Sequence, residues 1–189
     1  TLVLRGVSLV DARTGAHAAL TLPADGRFER IHSGDVKIYR ADSLARVHVV
    51  RRAQIAADDA AALAALAAAD FDPTSAVVLQ ADELAAAGLT SAAAALDPAV
   101  AAESVRVLAD QPEQLAFSVD LAAPAVLVLA DTWYPGWRVQ VDYAPATLLR
   151  GNYLFRAVFV PAGHHRVEFI FAPASLRQGA WLSLTAGLG

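Results

Sequence analysis

Between residues 115 and 121, Leu115, Phe117, Val119 and Leu121 alternate with Ala116, Ser118 and Asp120. A period of two places all four large side chains on one face of a strand. The alternation recurs at Trp137, Val139 and Val141 against Arg138, Gln140 and Asp142, and again at Val167, Phe169 and Phe171. Residues 125–130 are a continuous apolar run, which predicts a central strand, and 153–160 a long strand with Arg156 set into it. A bend or helical turn at 175–179 and a last strand at 180–185 complete the pattern. Proline, glycine and aspartate cluster at 110–114, 142–145 and 161–163, where the chain is expected to turn. Short strands spaced about 8 to 15 residues apart predict a mainly β fold, a two-layer antiparallel β-sandwich of jelly-roll-like form. An α/β domain would need helices of about ten residues between strands, and none is visible after Glu103.

The first half reads differently. Strands are expected near 1–11, 18–22 and 47–50, with a hairpin of 27–32 and 35–40 around Ser33-Gly34. Asp58-Asp59 precede an alanine-rich run with Leu63 and Leu66, which predicts a helix over 60–70, capped by one of the aspartates and stopped before Phe71-Asp-Pro73. Two valines make 76–80 a strand. Residues 81–102 are alanine-rich and broken by Gly88, Thr90, Ser91 and Pro98, so they fit either short helices or an irregular crossing. The organisation expected is a smaller N-terminal α+β portion over 1–102, with a helix near 58–70. A β-sandwich core over 103–189 follows, packed with strands from 27–50 and 76–80.

Composition narrows the chemistry. The chain has 189 residues, 56% of them hydrophobic, no cysteine, no methionine and a formal net charge of -4. Disulfides, thiolate zinc sites, iron–sulfur clusters and thiol nucleophiles are excluded. The mild acidity and scattered basic residues argue against nucleic acid as a partner. Apolar runs such as 122–130 are far shorter than the 18 or so residues that cross a bilayer. The start at Thr1, with neither a methionine nor a signal-peptide pattern, reads as an excised or processed segment.

The run Leu127-Val-Leu-Ala-Asp-Thr-Trp-Tyr-Pro-Gly-Trp-Arg138, together with Arg150-Gly-Asn-Tyr-Leu-Phe-Arg156 and Pro161-Ala-Gly-His-His-Arg-Val-Glu-Phe169, resembles the C-terminal extracytoplasmic domain of the bacterial YfhO-like multi-spanning membrane proteins. These are similar to lipid-linked-sugar glycosyltransferases. Asp35-Val-Lys-Ile-Tyr-Arg40, Ser43-Leu-Ala-Arg46 with 47–50, and Phe71-Asp-Pro73 with 76–79 also resemble that family. The resemblance implies a β-rich domain on the extracytoplasmic face of the cell membrane, whose partner is the membrane portion of a larger parent protein. It further implies an accessory role with glycan or lipid-linked sugar, the catalytic acids lying in membrane loops outside this chain. In that family a glycine usually stands at the position of Tyr143 in the turn after Asp142.

Three large rings, Trp133, Tyr134 and Trp137, surround Pro135-Gly136. Flat apolar faces beside polar groups suit a sugar, which carries both C–H faces and hydroxyls. Asp131, Asn152 and Arg156 are the polar complement, and these six residues form the candidate ligand site. The alternative is a rigid turn whose rings seal the sandwich edge. Arg156 either faces solvent or lies inside and needs a partner, for which Asp131 and Glu168 are candidates. His164 and His165 point to opposite faces of a strand and do not suit one metal ion, so neither metal nor other cofactor is expected. Asp131, Asp142 and Glu168 would serve glycoside hydrolysis only if the fold set two of them across a cleft. The function expected is a non-catalytic accessory domain. A ligand-free structural or protein-interaction scaffold is the alternative, and a glycan hydrolase comes third.

Overall fold

A computed structural model describes residues 8–10, 17–19, 28–33, 37–41, 44–99 and 103–173. The strand expected at 180–185 and the bend at 175–179 lie outside them. The chain divides into two compact units, Thr1–Leu44 and Ala45–Gly189. In the first unit, β1 (Ser8–Val10) pairs antiparallel with β2 (His17–Ala19), and β3 (Phe28–Ser33) with β4 (Lys37–Ala41). The second pair is the hairpin expected around Ser33-Gly34, and Arg40 braces it through a 2.7 Å ion pair with Glu29.

The second unit begins with β5 (Val47–Val50), β6 (Ala53–Ala56), α1 (Asp59–Ala67), β7 (Val77–Gln80), α2 (Ala81–Ala86) and α3 (Thr90–Ala94). Eight strands follow, all antiparallel to their neighbours: β8 (Glu103–Gln111), β9 (Gln114–Leu121), β10 (Ala125–Thr132), β11 (Trp137–Val141), β12 (Ala144–Ala146), β13 (Leu149–Gly151), β14 (Phe155–Val160) and β15 (Gly163–Phe171) complete the two sheets of this unit. One sheet has six strands in the order β5-β10-β14-β13-β7-β6, the other five in the order β12-β11-β15-β9-β8. After the β8–β9 hairpin the chain shuttles between them, β10 to the first, β11 and β12 to the second, β13 and β14 back, and β15 across again.

Alternation builds the core between the layers. Leu127, Leu129, Val158 and Val160 of the six-stranded sheet meet Leu115, Phe117, Val119, Val167 and Phe169 of the other, all buried. Phe117 and Phe169 pack edge to face, 6.2 Å between centroids. The opposite face of the six-stranded sheet is apolar too: Val50, Val126, Val128, Val77 and Leu79 pack on Leu84 of α2 and Ala93 of α3. That double coverage is why 125–130 reads as an uninterrupted apolar run.

The helix expected over 60–70 is α1, whose first turn is capped by Asp58 accepting from the Ala61 N–H at 2.8 Å. Its Ala62 packs with Val78 and Ala56. Two departures from the expected pattern concern this region. Residues 53–56 carry a strand that the alanine-rich sequence does not announce, and β6 and β7 run parallel, joined through α1, so the sheet is not wholly antiparallel. The alanine-rich stretch resolves into two short helices, α2 being followed, just past its C-cap Ala87, by Gly88 with a φ of 68°.

Candidate functional site

Four loops and strand ends meet at one end of the sandwich. The 133–136 connection between β10 and β11 is tied to the β13–β14 turn by the Trp133 N–H donating to the Leu154 carbonyl. The β8–β9 turn is tied to β15 by the Phe171 N–H donating to the Glu113 carbonyl at 2.8 Å. Gly136 has a φ of 108°, and a Cβ there would lie 2.9 Å from Pro173 Cβ, so only glycine admits this close approach. Between the sheets at this end opens a cleft of about 310 Å³, lined chiefly by Arg46, Asp110, Gln111, Asp131, Trp137 and Arg156.

The β10–β14 register slips between Leu129 and Thr132, and such a bulge re-aims side chains. Asp131 stands in it and accepts both arms of the Arg46 guanidinium, Nε and Nη2 each at 2.8 Å. Arg46 Nη1 reaches both Asp110 oxygens, at 3.1 and 3.0 Å. The Arg46 hydrogen bonds hold the Asp131 carboxyl below the usual carboxylate range, against the opposing effect of burial. Asp131 in turn holds the Arg46 guanidinium above its ordinary value.

Arg156 pairs with Leu129 in register, on the inward face of the sheet. It faces the interior rather than solvent, with only 5% of its surface exposed. Its Nε donates to the Thr132 carbonyl at 3.1 Å, and its guanidinium carbon lies 3.7 Å from the centroid of the Trp137 ring. Of the two candidate partners, Asp131 is the nearer one, at 3.6 Å from Nη2. Glu168 is engaged by Arg166 at 2.7 Å and by Gln114. Burial pulls the Arg156 guanidinium below its ordinary value, with Asp131 acting in the opposite direction.

Of the six residues picked from sequence, the fold therefore gathers Asp131, Trp137 and Arg156. Trp137 also packs on Phe171, at 5.3 Å between centroids. Trp133 is half-buried beside a different cation, Arg150, at 5.8 Å. Tyr134 is 61% exposed. Asn152 is buried in the β13–β14 turn, where its Oδ1 accepts from the Val78 N–H at 2.8 Å and its own N–H donates to the Val78 carbonyl. Its carboxamide oxygen is thus committed to pinning the turn to β7, and its φ of 51° is one that asparagine tolerates.

Sequence reasoning did not place Arg46, Asp110 and Gln111 in the cleft. Arg46 lies 64 and 85 positions from its two carboxylate partners, a separation that periodicity cannot bridge. His164 and His165 take different partners: His165 Nδ1 lies 2.7 Å from Asp142 Oδ2, while His164 Nε2 lies 3.4 Å from the Ser118 hydroxyl. Among the described residues no group of three or more His, Asp or Glu is arranged to hold a metal ion. Nor is any helix among them long and apolar enough to cross a membrane. No family model, curated protein or solved structure matches the chain.

Proposed function

We propose that this chain is a non-catalytic accessory domain of a larger membrane protein, placed on the extracytoplasmic side, and that it handles a glycan or lipid-linked sugar at the cleft between the sheets. The membrane setting draws on the resemblance of the 127–138 and 150–169 segments. The ligand reading draws on one observation: Arg46, Asp131 and Arg156 converge beside Trp137 in an open cleft of about 310 Å³. That volume is at the small end of ligand sites, about 300–1,000 Å³, and its polar lining offers donors and acceptors to hydroxyls.

The non-catalytic reading has a physical basis. Glycoside hydrolysis needs a carboxyl kept protonated near neutral pH to serve as general acid. Asp131 is shifted the other way, and its two oxygens are both taken by Arg46. Glu168 and Asp142 are likewise held low, Glu168 chiefly by Arg166 and Asp142 chiefly by the Arg166 backbone N–H.

Calorimetric titration of the chain with a panel of neutral and acidic sugars tests the proposal. Saturable binding is expected, weakened about tenfold or more in Arg46→Ala, a loss of about 1.4 kcal/mol or more. Absence of saturable binding to every sugar overturns it. The second reading, a scaffold without ligand, is favoured by Trp137 itself, which packs against Arg156 and Phe171. On that reading Arg46→Ala changes stability and nothing else.

A further inference from the structure

The charges at the cleft are not shared evenly. Asp131 gives both oxygens to Arg46 at 2.8 Å, and Asp110 gives both of its own to the same guanidinium. Arg46 is thus doubly served although its side chain is 52% exposed. Arg156, the buried cation, is left with one carbonyl hydrogen bond, the face of Trp137 and an Asp131 oxygen at 3.6 Å. Its Nη1 is buried without a hydrogen-bond partner among the described residues. Withdrawing a cation from water without full pairing is costly, and such a residue in a cleft marks a functional candidate.

We infer that the cleft takes a compact anionic group, a carboxylate or phosphate carried on a sugar, held between Arg156 and Arg46. Guanidinium forks suit both groups, since each offers two oxygens in the spacing of adjacent N–H donors. Asp110 is the internal competitor. Its side chain is 57% exposed and it holds Arg46 by Nη1 alone, so an incoming anion can displace it while Asp131 keeps Arg46 in place. Gln111 belongs to the same lining, and an amide side chain can both donate to and accept from a hydroxyl. This inference names the ligand class for the glycan-handling reading and rests on it for the sugar.

The test is a calorimetric and NMR titration of the full chain with glucuronate, glucose 1-phosphate, glucose and inorganic phosphate. The Trp137 indole N–H and the arginine Nε–H signals locate the site. The acidic sugars are expected to bind about tenfold or more tighter than glucose, and 0.5 M salt should weaken them, as it screens charge. Asp110→Asn removes the competitor and should raise the affinity for the acidic sugars several-fold relative to that for glucose. Arg46→Gln should abolish the preference for the acid. Arg156→Lys checks the buried cation, and Asp110→Asn, an exposed change, keeps the proposal falsifiable if that variant does not fold. A preference for glucuronate over glucose 1-phosphate identifies carboxylate as the group, and the reverse order identifies phosphate. Equal affinity for glucose and the acidic sugars overturns the inference and leaves the glycan reading standing. Inorganic phosphate binding as tightly as the sugar phosphate upholds the anion site and overturns its sugar. Binding of none of the four overturns both.

Discussion

His165 sits between two acceptors, the Asp142 carboxylate at 2.7 Å from Nδ1 and the Ala162 carbonyl at 3.2 Å from Nε2. A neutral imidazole has one N–H and satisfies one of them, whereas the imidazolium satisfies both. Asp142 accordingly raises the His165 pKa above its ordinary 6.5. The contribution to stability is complete below about pH 6.5 and is lost as the pH rises through the elevated folded value. Thermal unfolding of the chain and of His165→Gln should therefore differ most near pH 6 and converge toward pH 9. The difference is expected to be about 1 kcal/mol or less, because Asp142 is solvent-exposed. A gap that does not change with pH would remove the imidazolium from the account. The same carboxylate accepts from the Arg166 backbone N–H at 2.8 Å. It thereby anchors a two-residue hairpin turn in which Asp142 and Tyr143 both have positive φ, 50° and 66°. A tyrosine fills the position where glycine would be expected; the residue is 71% exposed and its ring centroid lies 5.7 Å from the Arg166 guanidinium carbon.

At the scale of elements, the β10–β11 connection carries the cleft. Gly136→Ala would place a methyl 2.9 Å from Pro173 Cβ and 3.0 Å from the Phe171 ring, in a backbone region that L residues rarely adopt. A loss of at least about 2 kcal/mol is expected, read as a lower urea midpoint accompanied by a shift in tryptophan emission. An unchanged midpoint would mean that the turn is freer than its geometry indicates. Elements with strong alternation, such as β9 and β15, were legible in sequence because each buries one face against the opposite sheet. β6 was not, since Ala53-Gln-Ile-Ala56 is short and half alanine, and only its pairing with β7 makes it a strand. The cleft was legible in part. Trp137 and Arg156 stand out as a ring and a charge in strands, but Arg46 and Asp110 look like ordinary loop and edge charges until the sheets stack. Asn152 carried a polar signal for a structural reason, the hydrogen bonds to Val78.

At the scale of the molecule, the inter-sheet core is what holds the 45–189 unit together. Phe169 is fully buried there against Phe117. Phe169→Ala should cost about 3–5 kcal/mol, with the loss seen equally by far-ultraviolet circular dichroism and tryptophan fluorescence if the two sheets unfold as one. Two separated transitions would show that the layers have independent stability.

The shuttling of the chain between layers bears on how this unit forms. Because β10, β11–β12, β13–β14 and β15 alternate between the sheets, no contiguous stretch of the polypeptide can complete either layer by itself. Paired strands such as β5 and β10, or β9 and β15, lie dozens of residues apart in the chain, a topology associated with refolding in milliseconds to seconds rather than microseconds. The arginines and carboxylates of the cleft, at positions 46, 110, 131 and 156, are brought together only where the two sheets stack. A molecule bound there would hold the assembled state and slow its opening.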